Sequence, residues 1–553
     1  MAFLVGFTVL TAATGCRKKP VPATGTRLPV ATSRDAGLNA DDPQPVPLSS
    51  CLPSAPLSGE GGTGILRVRL AAEPPHLDPT DEVSDVSALV LRGLVHEPLL
   101  TCLPNSDGAT PIVQPSSGPI AGWELTPGAD GFTLRLRAGG IFHDGRAITG
   151  ADVRASIESV WKGGARLPHA RAALVDVAGV EAPTHDLVRV RLKRPSPITL
   201  RALCEVPLVS AAALYAPRRR DPAAASTGPI GSGPFRFAGW ARGKSIRLVR
   251  FAQPGRPLAS LSEILFLIEP DPGRALGQLR QGELDLIPQL DAVHFPEQVR
   301  PAALGDSSRL LLLRGQRHSF LAINHHRVPL DQLKFRRALS LLWDRVALAD
   351  ELHRGLAQPI GAPPFATIDP PKLDVAQATQ LLREVGTLPA ELTKRAPPIG
   401  ARLSLLHSGS RTARAELRRY AERLRRLGVF IELSPLDHAA LVERLTTGQF
   451  DLALVAWQGS PTEDPRARFG SNGAFNYGKF QSPAVDVLLD ELRTGDGPLS
   501  RTGLDQRLGQ RLAEELPAVF LYRHNELAVA SKRVAGLCNQ DGQVSLSNAR
   551  MVP

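Results

Sequence analysis

Residues Thr447 to Ser460 read TGQFDLALVAWQGS, and this stretch decides the class of fold. A helical pattern ends at Thr447, Gly448 stops it, and the apolar run to Trp457 is a strand that passes straight into a polar loop beginning at Gln458. LRQGELDLI, from Leu279, has the same grammar of helix end, glycine stop and strand. Working outward, the strand ILRVRLA from Ile65 opens an alternation of apolar strands and helical segments that runs through much of the chain. The class is therefore α/β. No short-period repeat is present, which excludes solenoids and propellers.

The segment from Trp123 to Thr149, WELTPGADGFTLRLRAGGIFHDGRAIT, reads as two short strands around a glycine-rich turn, then an exposed loop and a helix start. Asp152 stands at the third position of a capping box opened by Thr149, where a carboxylate favours the helix N-terminus. A further helix carries Leu417, Tyr420, Leu424 and Leu427 at helical spacing before Gly428. Its arginines, Arg411, Arg414, Arg418, Arg419, Arg423, Arg425 and Arg426, form a solvated face or a surface for something anionic.

At 553 residues the chain exceeds a single hydrophobic core, and roughly three to four structural units are expected. Lysine and arginine number 65 against 54 acidic residues, a net +11 that is modest over this length and does not call for nucleic acid. No stretch approaches the roughly 20 apolar residues of a membrane-spanning helix.

Phe3 to Ala13 is an apolar run of signal-peptide length, and Ala13-Thr14-Gly15-Cys16 after it resembles a bacterial lipobox. That resemblance implies cleavage before Cys16, lipidation of its thiol and attachment of a soluble body to a membrane; a plain secretory signal cleaved near the same place is the alternative. Residues 17–63, rich in Pro, Ala, Ser and Gly, read as a disordered tether. Cys51, Cys102, Cys204 and Cys538 allow three complete disulfide pairings, and no Cys/His cluster has zinc spacing.

Nine segments, in this order, resemble the extracellular solute-binding proteins of family 5, which include the dipeptide- and oligopeptide-binding components of ABC importers. They are AAEPPHLDP at Ala71, LVHEPLL at Leu94, the Trp123 segment continued to Val153, GPIGSGPFRFAGW at Gly228, QGELDLI at Gln281, FLAINHHRVPLDQLKFRRALSLLWDR at Phe320, DLALVAWQG at Asp451, GAFNYGKFQSPAVDVLLDEL at Gly473 and VFLYRHNELAVASKRVAGL at Val519. The resemblance implies a two-lobed periplasmic-binding-protein fold (type II) with an extra subdomain inserted in the first lobe. Its units would be residues 64–98, 200–315 and 520–553 for lobe 1, 99–199 for the insertion and 316–519 for lobe 2. Two strands would cross between lobes near Leu312 to Ile323 and Ala518 to Asn525, and a ligand would be held in the cleft as the lobes close. The implied protein is a monomer outside the cytoplasm, in the periplasm or at the cell surface, with ABC permease subunits and a peptide-like or other small polar ligand as partners. It needs no cofactor and no metal. A ligand sensor or envelope interaction protein on the same fold is the alternative.

Trp457 leads the candidate ligand-binding residues, since an aromatic face at a cleft stacks on apolar or cationic groups; core packing is the other reading. In peptide-binding relatives an Asp three residues after this Trp pairs with the ligand's α-amino group. The corresponding place here is Ser460, whose hydroxyl cannot neutralise an ammonium, with Glu463 or Asp464 as substitutes. Glu82 and Asp85 follow the first landmark and approach the ligand in relatives, or are surface carboxylates. Asn476 and Tyr477 face the cleft in relatives, or finish a turn. His325 and His326 are adjacent on a presumed strand and point to opposite faces, which disfavours a shared metal. His143-Asp144 reads as a structural turn. Neither a GxSxG elbow, a HExxH helix, a phosphate loop nor a dinucleotide fingerprint is present, so an enzyme is not expected.

Overall fold

The computed structural model describes residues 45–51, 62–81, 85–103, 112–115, 118–128, 130–165, 167–215, 228–363, 365–386, 401–459, 464–494, 501–540 and 542–552. Cys16, Glu82, Ser460 and most of the tether lie outside these residues.

Among the described residues a twelve-stranded sheet runs through the molecule, and two long strands stand near its middle. Ser308–Ile323 and Ala518–Ser531 pair antiparallel, with Ser308 to Leu313 opposite Glu526 to Ser531 and Arg317 to Ala322 opposite Ala518 to His524. Towards one end the first long strand continues into Leu452–Gln458, Arg402–His407 and Phe430–Pro435. Towards the other, Ala518–Ser531 continues into Leu286–Ile287, Gly64–Leu70, Leu261–Ile268 and the meander Ser245–Arg250 and Phe235–Ala241. The register breaks at Arg314 to Gln316, a bulge between the two paired stretches. Only glycine fits at Gly315, because a Cβ there would lie 1.6 Å from the carbonyl oxygen of His524.

Local signals produce these elements as their chemistry requires. Asp451 stands beyond helix His438–Thr446 and Gly448 (φ +70°), and its carboxylate accepts from the Ser404 backbone and hydroxyl, both at 2.9 Å, which aligns the strand that follows. Asp285 does the same after helix Pro272–Arg280 and Gly282 (φ +74°). Fully buried, it accepts from the Arg67 backbone at 3.0 Å and the Arg67 Nε at 2.9 Å, and from Arg533 at 3.1 Å. Helix Arg411–Arg426 buries Leu417, Tyr420 and Leu424, while Arg419 pairs with Glu351 and Arg425 with Glu422. Paired with carboxylates or facing water, its arginines form the solvated face.

A four-stranded sheet, Ile120–Leu125, Gly131–Leu136, Leu187–Leu192 and Val177–Thr184 in spatial order, has a core of its own drawn from residues between Leu99 and Leu208. Helix Gly150–Trp161 covers it, opened by the expected capping box: Asp152 Oδ2 accepts from the Thr149 backbone at 2.9 Å and its hydroxyl at 2.7 Å. Asp152 Oδ1 also accepts from Ala211 N at 2.8 Å, fixing the exit of the segment. His143 is structural, its ring bonding Gly231 N and Gly233 O across the Gly231-Ser232-Gly233 turn.

The N-terminal side departs from the expected tether. Residues 45–51 are held in place: Val46–Pro47 pairs parallel with Leu311 and Leu312, Asn539 N donates to Ser49 O, and Cys51 is bonded to Cys538. Composition alone cannot distinguish such a strap from a free linker, because its order comes from partners more than 250 residues away in sequence. The second disulfide, Cys102–Cys204, lies within the unit built on the four-stranded sheet.

Candidate functional site

Trp457 occupies the penultimate position of strand Leu452–Gln458. Its partner across the first long strand is His318; His318 in turn faces Arg523 on the second, and Arg523 faces Gln358 on the short strand Ala357–Pro359. Residues directly opposite share a face of a sheet. Trp457, His318, Arg523 and Gln358 therefore form one row, about 14 Å long from three interstrand steps.

The row is aromatic at Trp457 and cationic at Arg523, with a second guanidinium, Arg468, lying over its aromatic end. The edge of Phe320 meets the Trp457 ring at 4.4 Å between centroids, and the Arg468 guanidinium covers that ring at 4.4 Å. Trp457 is half-buried against Phe469, Phe520 and the helices Pro483–Thr494 and Arg501–Glu515, so it both packs and presents a face. Arg523 is also half-buried. Its Nη2 donates to Gln358 Oε1 at 2.7 Å, and its buried Nε has no hydrogen-bond partner. Burial, helped by the nearby Arg314, lowers its pKa to about 10, which leaves it charged at neutral pH. His318 is 1% exposed; the Gln316 backbone lies near its ring, and neither ring nitrogen makes a well-formed hydrogen bond. Burial first, then Arg523 and Arg468, push its pKa down to about 3, so the ring is neutral.

The other candidates are placed as follows. Asn476 is buried and its amide is fully engaged within its own loop, donating to Gly470 O and Phe480 O and accepting from Phe480 N. It finishes a turn. Tyr477 is half-buried beside Phe475 and packs on the cluster of Ala322, Leu406 and Phe450. Of the two substitute carboxylates, Glu463 lies outside the described residues, and Asp464 is 4% exposed; it accepts from Arg466 N at 2.9 Å and pairs with Arg493 at 3.4 Å, inside a cluster of ions rather than on the row. Asp85 begins helix Asp85–Leu91, and its side chain, like Glu82 and Ser460, lies outside the description. Sequence reasoning missed His318, Arg468 and Arg523. For Arg523 a signal existed, a lone guanidinium inside the apolar run VFLYRHNELAVA.

His325 and His326 border a separate open groove of about 390 Å³ with Asp331, Arg336, Lys479 and Glu515. His325 Nε2 bonds Pro517 O at 3.0 Å, and burial lowers its pKa to about 4. Among the described residues no three His, Cys, Asp or Glu side chains are grouped to hold a metal.

The family described as bacterial extracellular solute-binding proteins, family 5 (middle) matches residues 114–478. The glutathione-binding protein GsiB of Pectobacterium atrosepticum is 25% identical over 437 residues, 73% of this chain and 79% of the relative. Among solved structures, the ABC transporter substrate-binding protein CtaP of Listeria monocytogenes superposes with a TM-score of 0.74 at 18% identity, covering 89% of this chain and all of the other. The oligopeptide-binding protein AppA of Bacillus subtilis, in complex with a nonapeptide, superposes at 0.71 and 17% identity, covering 90% and 100%. The fold is the two-lobed α/β fold of periplasmic binding proteins.

Proposed function

Because the chain belongs to the bacterial extracellular solute-binding proteins, family 5, we propose that it captures a peptide-like or other small polar solute between two lobes and delivers it to the permease of an ABC importer. Proteins of this family are extracytoplasmic binding proteins, and the relatives include a glutathione-binding protein and a probable di/tripeptide-binding protein. One observation carries the proposal: the sheet is continued in opposite directions from two long paired strands, and Trp457, His318 and Arg523 lie in one row across those strands and the neighbour Leu452–Gln458. Residues 64–98, 209–315 and 520–553 make one lobe and 316–519 the other; the insertion runs 99–208 rather than to the expected 199, because Leu200, Leu203 and Leu208 pack in its core. Closure about the long strands removes water from the row, and polar groups aimed at the ligand then count for more. The proposal includes Cys16 as lipid acceptor, a monomeric body at the periplasmic or outer face of a membrane, and binding without catalysis.

Trp457→Ala tests the site. Its Kd for the solute recovered from protein purified from the host is expected to rise about tenfold or more, the range of a lost aromatic anchor. Unchanged affinity removes Trp457 from the site. Metabolic labelling with a fatty acid, lost in Cys16→Ser, tests the anchor.

A further inference from the structure

We infer that the row receives a carboxylate, so that the solute is an organic acid oriented with its negative end towards Arg523. This deepens the proposed solute-binding function and rests on it.

The surroundings of Arg523 and His318 suit an anion. Arg523 makes no ion pair among the described residues, and its one hydrogen bond there, to Gln358, fixes the plane of the guanidinium while its Nε is left unpartnered in a buried setting. Buried donors without acceptors are rare and costly, and a guanidinium is shaped to hold a carboxylate. The neighbouring arginine on the first long strand, Arg317, has its own partner in Glu526 at 3.6 Å.

His318 stands between Arg523 and Trp457, almost wholly buried, with the Gln316 backbone near its ring but neither nitrogen in a well-formed hydrogen bond. A neutral imidazole carries one N–H and is suited to donate to an anion's second oxygen. Arg468, lying on the Trp457 ring, is the guanidinium at the other end of the row, and it and Arg523 both act on His318 between them. An ammonium at Arg523 would meet a guanidinium, whereas a carboxylate would meet donors in a setting where charge-assisted bonds are strong. The substitution of Ser460 for the amine-pairing Asp of peptide-binding relatives fits the same polarity.

The test uses the purified full chain and matched probes in calorimetry: glutathione, trialanine, N-acetyl-trialanine, and the C-terminal amide of each alanine peptide. The free acids, acetylated or not, are expected to bind, with each amide weaker by about 10–100-fold, the range of a lost charge-assisted bond. Arg523→Gln should weaken acid binding by a similar factor, and Arg523→Lys by less. Equal affinity for acid and amide overturns the inference, as does Arg523→Gln with unchanged acid binding. Should Arg523→Gln fail to fold, the acid–amide comparison on the unmodified chain decides. If none of these probes binds, the solute released from host-purified protein decides by mass spectrometry: a carboxylate-bearing molecule supports the inference, and a neutral or cationic one overturns it. If no probe binds and no solute is released, the solute-binding function itself falls, which is a different failure from equal binding of acid and amide.

Discussion

Arg493, on helix Pro483–Thr494, donates from Nε to Asp176, a residue 317 positions earlier that sits just before strand Val177–Thr184. Both side chains are less than a tenth exposed, and Arg493 also reaches Asp464 at 3.4 Å. Arg194 joins Asp176 at 3.1 Å, while Arg466 holds Asp490 at 2.5 Å. This ionic cluster fastens the unit built on the four-stranded sheet to the helices behind Trp457.

Truncating one member of a buried ion pair strands the others without compensation, at about 3–5 kcal/mol. Arg493→Ala is therefore expected to lower thermal stability by that order. It should also raise amide exchange around residues 167–177 and 464–470 before the core of either unit opens. Uniform exchange through the chain would contradict it.

Asp285 supports a second junction, between Gly64–Leu70 and the C-terminal segment through Arg67 and Arg533. Asp285→Ala is expected to cost about 3–5 kcal/mol by denaturant unfolding, because it leaves two guanidiniums and the Arg67 N–H unanswered. Asp285→Asn retains the shape and one acceptor, and should cost less.

Gly315 tests the bulge. A methyl group at this position collides with the His524 carbonyl, backbone against backbone, and the collision cannot be relieved by a rotamer change. Gly315→Ala is expected to destabilise by about 2 kcal/mol or more and, if closure turns at the bulge, to alter solute dissociation more than a core substitution of equal cost. Equal effects on both quantities would locate the hinge elsewhere.

Acid should loosen the protein. Burial lowers the pKa of His96 to about 4, His318 to about 3 and His325 to about 4, each from 6.5. Between about pH 6.5 and 4 the unfolded chain takes up protons on these rings that the folded chain refuses. Stability present above pH 6.5 is therefore lost as pH falls through that window, by at most about 1.4 kcal/mol per unit per group. His96→Asn should flatten the melting-temperature profile between pH 6.5 and 4; an unchanged slope would exclude His96 as a contributor.

The α/β alternation, the capping box at Thr149 and the amphipathic arginine helix were legible because each is set by neighbours within a turn or two of chain. The end of the strand at Trp457 was legible for the same reason. The company Trp457 keeps was not: His318 and Arg523 are brought beside it only by strand pairing, at register positions that sequence does not number. The pairing of four cysteines depended likewise on where distant segments meet. Asn476 illustrates a different limit. Its amide suits a ligand and a turn equally well, and only the positions of Gly470 and Phe480 decide for the turn.

The Cys51–Cys538 bond also determines what a protease can accomplish. A single cut within residues 52–61 would sever the backbone yet release nothing, since everything upstream of the nick stays covalently joined to the last strands of the chain. Were the chain anchored at Cys16 as proposed, shedding of the body would then require a reductant as well as a peptidase, or a cut upstream of residue 45.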